Sequence, residues 1–406
     1  MTIEVLESRI APAAIIVTNI HPSGTGSLYA AIAQANTAGG SNTITFAHNV
    51  HGTILAKTGL PEITSNITLT GPGATKLAIN AGNDHQILYI GYNTNTNLPS
   101  NVTISGLTFS HGNSKYGGAL EINDTGGTVT ISKCNFTANK AVGTNGSSAN
   151  STNGYTGKGG AIDLENGTLT ITSAKISGNT AQGGTGPSGY TAGNGSGGGI
   201  YVNSGGTLTV ISSKITGNKA LGGIGVVGTA GANGTNGVPM QGYNIGGTGT
   251  YGGVGGNGGN AAGGGIYSLG KITIQSSTIS GNAAKAGNGG AGGKGGAGGK
   301  GAAAFTNNSY KYPAAPGGSG GYGGYGGNGG IATGGGIAAL QSSTTITSSK
   351  ITGNTVTAGR GGAAGLGGAA GAGPKTYNGT PYYVVPGLKG MAGSAGTKYG
   401  PNSYLT

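Results

Sequence analysis

The stretch GGAIDLENGTLTITSAKISGN, residues 159–179, recurs with small changes along the chain. Each copy opens with two or three glycines, continues with aliphatic residues, and closes with Asn three residues after Ile or Phe. The other copies occupy residues 117–139, 197–218, 263–282 and 334–354, and a shorter one occupies 101–113. Apolar and polar residues alternate within TLTIT, which is the period of a β-strand with one buried face. A single copy is too short to bury a core, so the repeat predicts stacked coils, an all-β parallel β-helix.

A column of asparagines closes the repeats, each following an apolar residue by three positions. Its members are Asn139, Asn179, Asn218, Asn282 and Asn354. Asn tolerates the backbone of a tight corner, and stacked side-chain amides can bond to one another along a solenoid. We therefore predict a structural asparagine ladder rather than a ligand site.

The GGAI and FxxN or IxxN elements of these copies resemble the repeats of the polymorphic outer-membrane proteins of chlamydiae and of related bacterial β-helix proteins. Residues 17–79, from VTNIHPSGTG to KLAI, look like the conserved start of many secreted bacterial β-helix proteins. LESRIAPAA, residues 6–14, resembles the LEPR-type N-terminal motif of secreted planctomycete and verrucomicrobial repeat proteins. The resemblance implies a right-handed parallel β-helix located outside the cell or on its surface, and it brings no catalytic residues.

The region 16–100 is predicted to form an N-terminal cap and the first coils. Ser27 is placed to N-cap a helix over residues 28–38, and Gly39 is placed to end it. The apolar face of this helix would consist of Leu28, Ile32 and Ala35. Such a helix would cover a sheet edge that otherwise invites aggregation. Residues 1–15 are predicted to be an N-terminal arm or sorting motif that could pair with a neighbouring molecule.

Glycine-rich segments interrupt the repeat region 101–357, each starting after an Asn corner and ending before the next Gly-Gly. They cover residues 142–158, 182–197, 221–262 and 285–333, and a tail of the same kind covers 358–406. Glycine-rich sequence of this kind is typical of flexible linkers. Here glycine keeps a period of three, as in GNGGAGGKGGAGGKG at 287–301. That period suits polyproline-II geometry, with three residues per turn and no internal hydrogen bonds. We predict packed polyglycine-II helices along one edge of the β-helix.

Most of the 19 tyrosines lie in these inserts and the tail. Tyr presents a large contact area at low entropic cost and is enriched at interfaces. We predict that several of them make contacts between subunits: Tyr251, Tyr310, Tyr312, Tyr322, Tyr325, Tyr382 and Tyr383.

The composition argues against several classes of protein. Glycine fills 96 of 406 positions and charged residues only 7%, so a conventional layered core is not expected. The net charge of +12 reflects only eight acidic residues, and no dense Lys/Arg run typical of nucleic-acid binders is present. The single cysteine, Cys134, excludes an intrachain disulfide, and no apolar run reaches the ~18 residues of a membrane span. The expected partners are other copies of the chain, with polysaccharide or cell-surface contact also possible.

Parallel β-helices include polysaccharide lyases and hydrolases, whose chemistry needs clustered carboxylates. Only Glu121, Asp163 and Glu165 are spaced to meet, on neighbouring outward positions, and no arginine lies near them in sequence. We predict a solvated surface at these carboxylates, and no catalytic site, metal or cofactor.

Two functions from different classes remain. In the first, subunits join through the β-helix ends and the Gly/Tyr-rich loops into an extracellular or surface filament or sheath. In the second, the chain is a monomeric surface adhesin that binds glycans or other cells. Less favoured are an enzyme acting on polysaccharide and an ice-binding protein. The ice-binding reading rests on an outward column of Thr103, Thr130, Thr170, Thr209, Thr273 and Thr345, although Thr is also simply a good strand former.

Overall fold

The computed structural model describes residues 14–38, 40–92, 98–239, 244–340, 343–374, 376–377 and 380–405. Most of the predicted arm 1–15 and the predicted helix stop Gly39 lie outside these residues. The chain forms a parallel β-helix, built from four sheets whose neighbouring strands are all parallel. The predicted fold class is confirmed.

Sheet A is the largest and carries the TLTIT segments of the repeat in register, with Leu169 beside Leu208 and Thr170 beside Thr209. Its strands are Ala14–Val17, Ser41–Phe46, Asn66–Thr70, Leu88–Gly91, Asn101–Ser105, Leu120–Ser132, Ile162–Thr172, Ile200–Ile211, Ile266–Ser268, Lys271–Gln275, Ile337–Ala339, Thr344–Thr347 and Ser403–Leu405. Alternate residues point into the β-helix, because the period of two puts one residue in two on each face.

Three smaller sheets complete the coils, sheet B from Gly52, sheet C from Asn113 and sheet D from Gly157. Sheet B precedes the Asn corner and consists of Gly52–Leu55, Leu77–Asn80, Thr108–Ser110, Asn135–Thr137, Lys175–Ser177, Lys214–Thr216, Thr278–Ser280 and Lys350–Thr352. Sheet C follows that corner and consists of Asn113–Ser114, Lys140–Val142, Thr180–Gln182, Lys219–Leu221, Ala283–Lys285 and Thr355–Thr357. Sheet D lies before the glycines of the next copy and consists of Gly157–Lys158, Gly195–Ser196, Ala261–Ala262, Ala332–Thr333 and Lys398–Tyr399.

The core is a set of aliphatic and aromatic columns running along the axis. Phe109 stacks on Phe136 with ring centroids 5.0 Å apart, and Ile176, Ile215 and Ile279 continue that column fully buried. Beneath sheets C and D the core narrows to a cluster of alanines, including Ala220. This narrow side explains how a chain with only 34% hydrophobic residues fills its interior.

The helix Leu28–Ala38 caps the N-terminal end as predicted. The Ser27 hydroxyl accepts a hydrogen bond from the Ala30 amide at 3.1 Å, the geometry of an N-cap. The helix buries Leu28, Ala31, Ile32 and Ala35 against the first coils. At the other end the last full coil is open: within the described chain, Lys350–Thr352 and Thr355–Thr357 have no strand above them.

Each glycine-rich insert leaves sheet C and returns to sheet D, so all of them project from one edge of the β-helix. Three are hairpins of two extended segments whose amides are hydrogen-bonded at every third residue, the pattern of packed polyglycine-II helices. We call these six segments the glycine slab: 222–237, 246–259, 287–301, 315–330, 359–373 and 387–396. Two antiparallel strand pairs, Phe305–Asn307 with Tyr310–Tyr312 and Thr376–Tyr377 with Thr380–Pro381, form the far ends of two hairpins.

Candidate interaction surfaces

The five predicted asparagines form one buried ladder. Each side-chain amide donates to the next Oδ1 along the axis, at 2.9 Å from Asn139 to Asn179, 2.9 Å from Asn179 to Asn218, 2.9 Å from Asn218 to Asn282 and 3.0 Å from Asn282 to Asn354. The Oδ1 of each later Asn also accepts the backbone amide of the Asn below it, and Asn139 Oδ1 accepts that of Gly112. Each Nδ2 donates to a backbone carbonyl in the coil below. The side-chain amides therefore use their hydrogen-bonding atoms within the β-helix, and none of these atoms is available to a ligand.

Sequence reasoning missed a sixth member of the ladder. Asn402, near the C-terminus, accepts the Asn354 amide at 3.4 Å. Its segment Lys398–Leu405 returns from the glycine slab and adds short strands to sheets D and A. The sequence signal for it is GPN at 400–402, which aligns with the glycines that open each of the other copies.

A second set of asparagines inside the glycine slab was also missed. Their Oδ1 atoms accept backbone amides from the segment stacked above, as Asn257 does from Asn328 at 2.8 Å and Asn328 does from Ser394 at 2.9 Å. Asn233 and Asn288 make the same bond to residues 297 and 360. These bonds satisfy amides at the non-glycine positions of the period of three, so the slab is held by side chains as well as by backbone.

One face of the glycine slab is apolar and exposed. Backbone bonds of 2.8 Å from Gly252 to Tyr322 and from Gly323 to Leu388 fix the register of its segments. We call the resulting patch the aromatic face; its apolar members are Tyr251, Val254, Tyr322, Tyr325, Leu388 and Met391, and Lys389 lines the same groove. Tyr251 and Tyr322 stack at 5.1 Å with rings 3° from parallel, and the patch lines a shallow groove of ≈ 390 Å³. Its side chains are well exposed, from 44% for Val254 to 69% for Tyr251.

The tyrosines predicted as assembly contacts thus fall into two places. Tyr251, Tyr322 and Tyr325 lie together on the aromatic face. Tyr310 and Tyr312 lie on the antiparallel hairpin at a far end, where Phe305 stacks on Tyr312 at 4.6 Å. Tyr382 and Tyr383 lie beyond the strand pair of the last hairpin, and Tyr383 is 84% exposed.

The carboxylates considered for catalysis do meet in sheet A, where Glu121 lies beside Asp163. The prediction of a solvated surface there is wrong for Asp163, which is only 1% exposed. The neighbouring coil places Tyr201 beside it, and Lys158 lies over the Tyr201 ring at 4.8 Å while pairing with Glu165 at 3.5 Å. These larger side chains exclude water from Asp163.

Burial governs the ionisation of this cluster. It raises the pKa of Asp163 well above the usual value, an effect that the nearby Lys158 ammonium partly opposes. Burial also raises the pKa of Glu121, against a hydrogen bond from Gln86. Asp163 Oδ1 has no hydrogen-bond partner among the described residues. The described residues hold no group of three or more His, Cys, Asp or Glu side chains arranged for a metal ion.

The predicted threonine column is in register along sheet A and continues below Thr103 to Thr68 and Thr43. Columns rich in Thr and Ser flank it, one through Thr128, Thr168 and Thr207, the other through Thr70, Ser105, Ser132 and Thr172. Hydroxyl groups therefore form a grid, spaced about 4.8 Å between strands and about 6.6 Å along them.

No protein-family model and no curated protein matches this chain. Among solved structures, the chain is similar to tailspike protein 3 of bacteriophage CBA120, with 14% identity and a TM-score of 0.14. The similarity covers 82% of this chain but only 59% of the tailspike, so the chain spans about three-fifths of that protein's length. A likeness this distant carries no argument about activity. Among the described residues, no helix is long and apolar enough to cross a membrane.

Proposed function

We propose that this chain is a non-enzymatic extracellular structural protein whose copies associate through the aromatic face of the glycine slab. The observation that carries the proposal is the clustering of exposed aromatic and aliphatic side chains on that face. Exposed apolar patches mark interaction sites when they are contiguous. Here the patch combines stacked tyrosines with Leu388 and Met391, a composition typical of interface cores.

The platform beneath the aromatic face favours a stable contact. Its backbone is hydrogen-bonded at every third residue, so little order has to be gained on binding. The near-parallel stacking of Tyr251 and Tyr322 covers one face of each ring. A second copy of the chain supplies a matching apolar patch.

The open end of the β-helix offers a second contact. Ile346, Ile351 and Val356 of the last coil are packed on the core yet only partly buried. An end of this kind presents both unpaired backbone groups and apolar side chains to a neighbour. Charge supports a head-to-tail arrangement, since no acidic residue follows Glu165 while lysines continue to Lys398.

The test is the assembly state of the full chain, measured by sedimentation velocity over a range of concentrations and by negative-stain electron microscopy. A Tyr251→Ser, Tyr322→Ser, Leu388→Ser variant should lose the side-by-side contact. The matched control is Tyr310→Ser, Tyr312→Ser, which removes tyrosines at a hairpin end and should leave that contact intact. A wild-type chain that stays monomeric at every concentration would overturn the proposal in favour of the monomeric adhesin.

An absence of catalytic activity is part of the proposal. Of the three carboxylates that meet on sheet A, Asp163 is buried beside Lys158 and Tyr201, where a substrate cannot reach it. Cleavage of a plant or bacterial polysaccharide that disappears in Asp163→Ala but persists in Glu62→Ala would contradict it.

Ice binding is the second candidate, favoured by the hydroxyl grid on sheet A. The grid is uncharged from Thr103 to Thr209, beyond which the flanking column reaches Lys271. A regular array of hydroxyl and methyl groups can order water in a repeating pattern. Thermal hysteresis that is lost in Thr170→Lys and retained in Thr216→Lys on sheet B would support this function. Its absence in the wild-type chain would remove the candidate.

A further inference from the structure

Five exposed lysines lie on the adjoining sheets B and C of the β-helix, and none of them belongs to the aromatic face. Lys175, Lys214 and Lys350 occupy one outward column of sheet B. Lys140 and Lys219 occupy the adjoining column of sheet C, just past the asparagine ladder. We call this surface the lysine face.

The lysine face concentrates like charge in a way that folding alone does not favour. Lys175 and Lys214 are direct neighbours on adjacent strands, whose backbones lie about 4.8 Å apart. Like charges directly opposite one another destabilise a sheet. The ion pair found among the described residues joins Lys158 and Glu165, on another side, so none of these five is neutralised by such a pair.

Carboxylates are segregated from this surface. Sheets B and C contain no Asp or Glu in any strand. Glu121, Asp163 and Glu165 lie on sheet A, and Asp124 is buried in a strand of the same sheet. The nearest carboxylate along the columns is Asp84, in a turn below Asn113, which itself lies below Lys140.

We infer that the lysine face binds a linear anionic polysaccharide lying along the β-helix axis. The columns run for four coil steps from Lys140 to Lys350, roughly 19 Å, and so match an extended chain with repeated carboxylate or sulfate groups. Between and beside the lysines lie Thr278, Ser177 and Thr216, which can bond to sugar hydroxyls. This binding does not require the self-association proposed above, although Lys350 lies on the end strand Lys350–Thr352.

The chemistry of the surface selects polysaccharide over nucleic acid. Sites for nucleic acid combine basic residues with Arg forks and with aromatic rings that stack on bases. The outward positions of sheets B and C hold no Arg and no aromatic residue, because Phe109 and Phe136 point inward. Lysine and hydroxyl groups suit point contacts to scattered anions on a sugar chain.

The test is equilibrium binding of the full chain to polygalacturonate and to dextran sulfate, with uncharged dextran as the reference polymer. Binding to both anionic polymers, falling steeply with added NaCl, is expected because each ammonium contact releases a counterion. The Lys175→Gln, Lys214→Gln, Lys350→Gln variant should bind about tenfold more weakly or worse and show a shallower salt dependence.

The matched control removes three exposed lysines elsewhere, Lys271→Gln, Lys294→Gln, Lys300→Gln, and so changes the net charge equally. It should retain most of the affinity. An equal loss in both variants, or equally tight binding of a DNA duplex, would overturn the inference. Measuring both in a Tyr251→Ser, Tyr322→Ser, Leu388→Ser, Ile351→Lys background, in which both proposed contacts are removed, separates this result from self-association. Circular dichroism checks that each variant is folded.

Discussion

At the scale of single residues, the asparagine ladder makes each coil depend on its neighbours. Asn218 donates to the Ile176 carbonyl and to Asn282 at 2.9 Å, and it accepts from both amides of Asn179. All of these groups are buried, so none can turn to water when a partner is removed. The ladder therefore fixes both the corner of its own coil and the axial spacing of the next.

We predict that Asn218→Ala lowers the free energy of unfolding by about 3 kcal/mol, because several buried polar groups lose their partners at once. Asn354→Ala should cost less, since its bonds to Asn402 are longer, at 3.4 Å, and lie at the end of the ladder. Urea denaturation followed by circular dichroism measures both. Equal losses at the two positions would contradict the ladder as a source of axial coupling.

Asp163 gives a second prediction, on pH. Its pKa is raised in the folded chain, so the folded state holds a proton over a pH range in which the unfolded chain has released it. Stability from this group is therefore full below the unfolded pKa of about 3.9 and is lost as the pH rises. Asp163→Asn cannot ionise, so its Tm relative to the wild type should rise between pH 4 and pH 7, by a few degrees. Glu62→Gln, at a less buried carboxyl, should show a smaller rise in relative Tm over the same pH range. A relative Tm of Asp163→Asn that falls with pH would refute this explanation.

At the scale of elements, the glycine slab depends on the absence of side chains at the bonded positions. A Cβ on Gly293 would collide with the Thr229 carbonyl oxygen. The next residue, Lys294, is exposed and tolerates any side chain. We predict that Gly293→Ala opens the local packing, whereas Lys294→Ala does not. Hydrogen exchange should show protected amides at glycines 287–330 in the wild type and in Lys294→Ala, and faster exchange there in Gly293→Ala. Unprotected amides in the wild type would contradict the packed slab.

The sequence predicted the features that depend on residues close together in the chain, and it did not predict those that depend on contacts between distant segments. The strands, the Asn corners, the helix cap and the period of three all depend on local spacing, and each was predictable. The aromatic face was not, because bringing Tyr251 beside Tyr322 requires the register between two inserts. The burial of Asp163 was missed for a similar reason: it depends on the size of Tyr201 one coil away and on Lys158 crossing over that ring.

At the scale of the whole molecule, the two proposed contacts have different symmetry and therefore different products. The aromatic face meeting its own copy is an isologous contact, which closes at a dimer. The open end meeting the capped end is a heterologous contact, which leaves a further open end and grows into a filament. Together they would give paired filaments. None of the five lysines of the lysine face belongs to the aromatic face, so the isologous contact leaves them available to an anionic polymer.

This difference makes a prediction that separates the contacts. Ile351→Lys places a charge on the partly buried end of the core, which a neighbouring molecule would have to bury without a partner. Electron microscopy should then show isolated dimers in place of paired filaments, while Tyr251→Ser, Tyr322→Ser, Leu388→Ser should show single filaments and the combined variant monomers. Thr352→Lys, whose side chain points outward on the same strand, is the control and should still form paired filaments. If filaments persist in Ile351→Lys, growth does not proceed through the open end, because the first coil of a neighbouring molecule could not stack on a buried, unpaired charge.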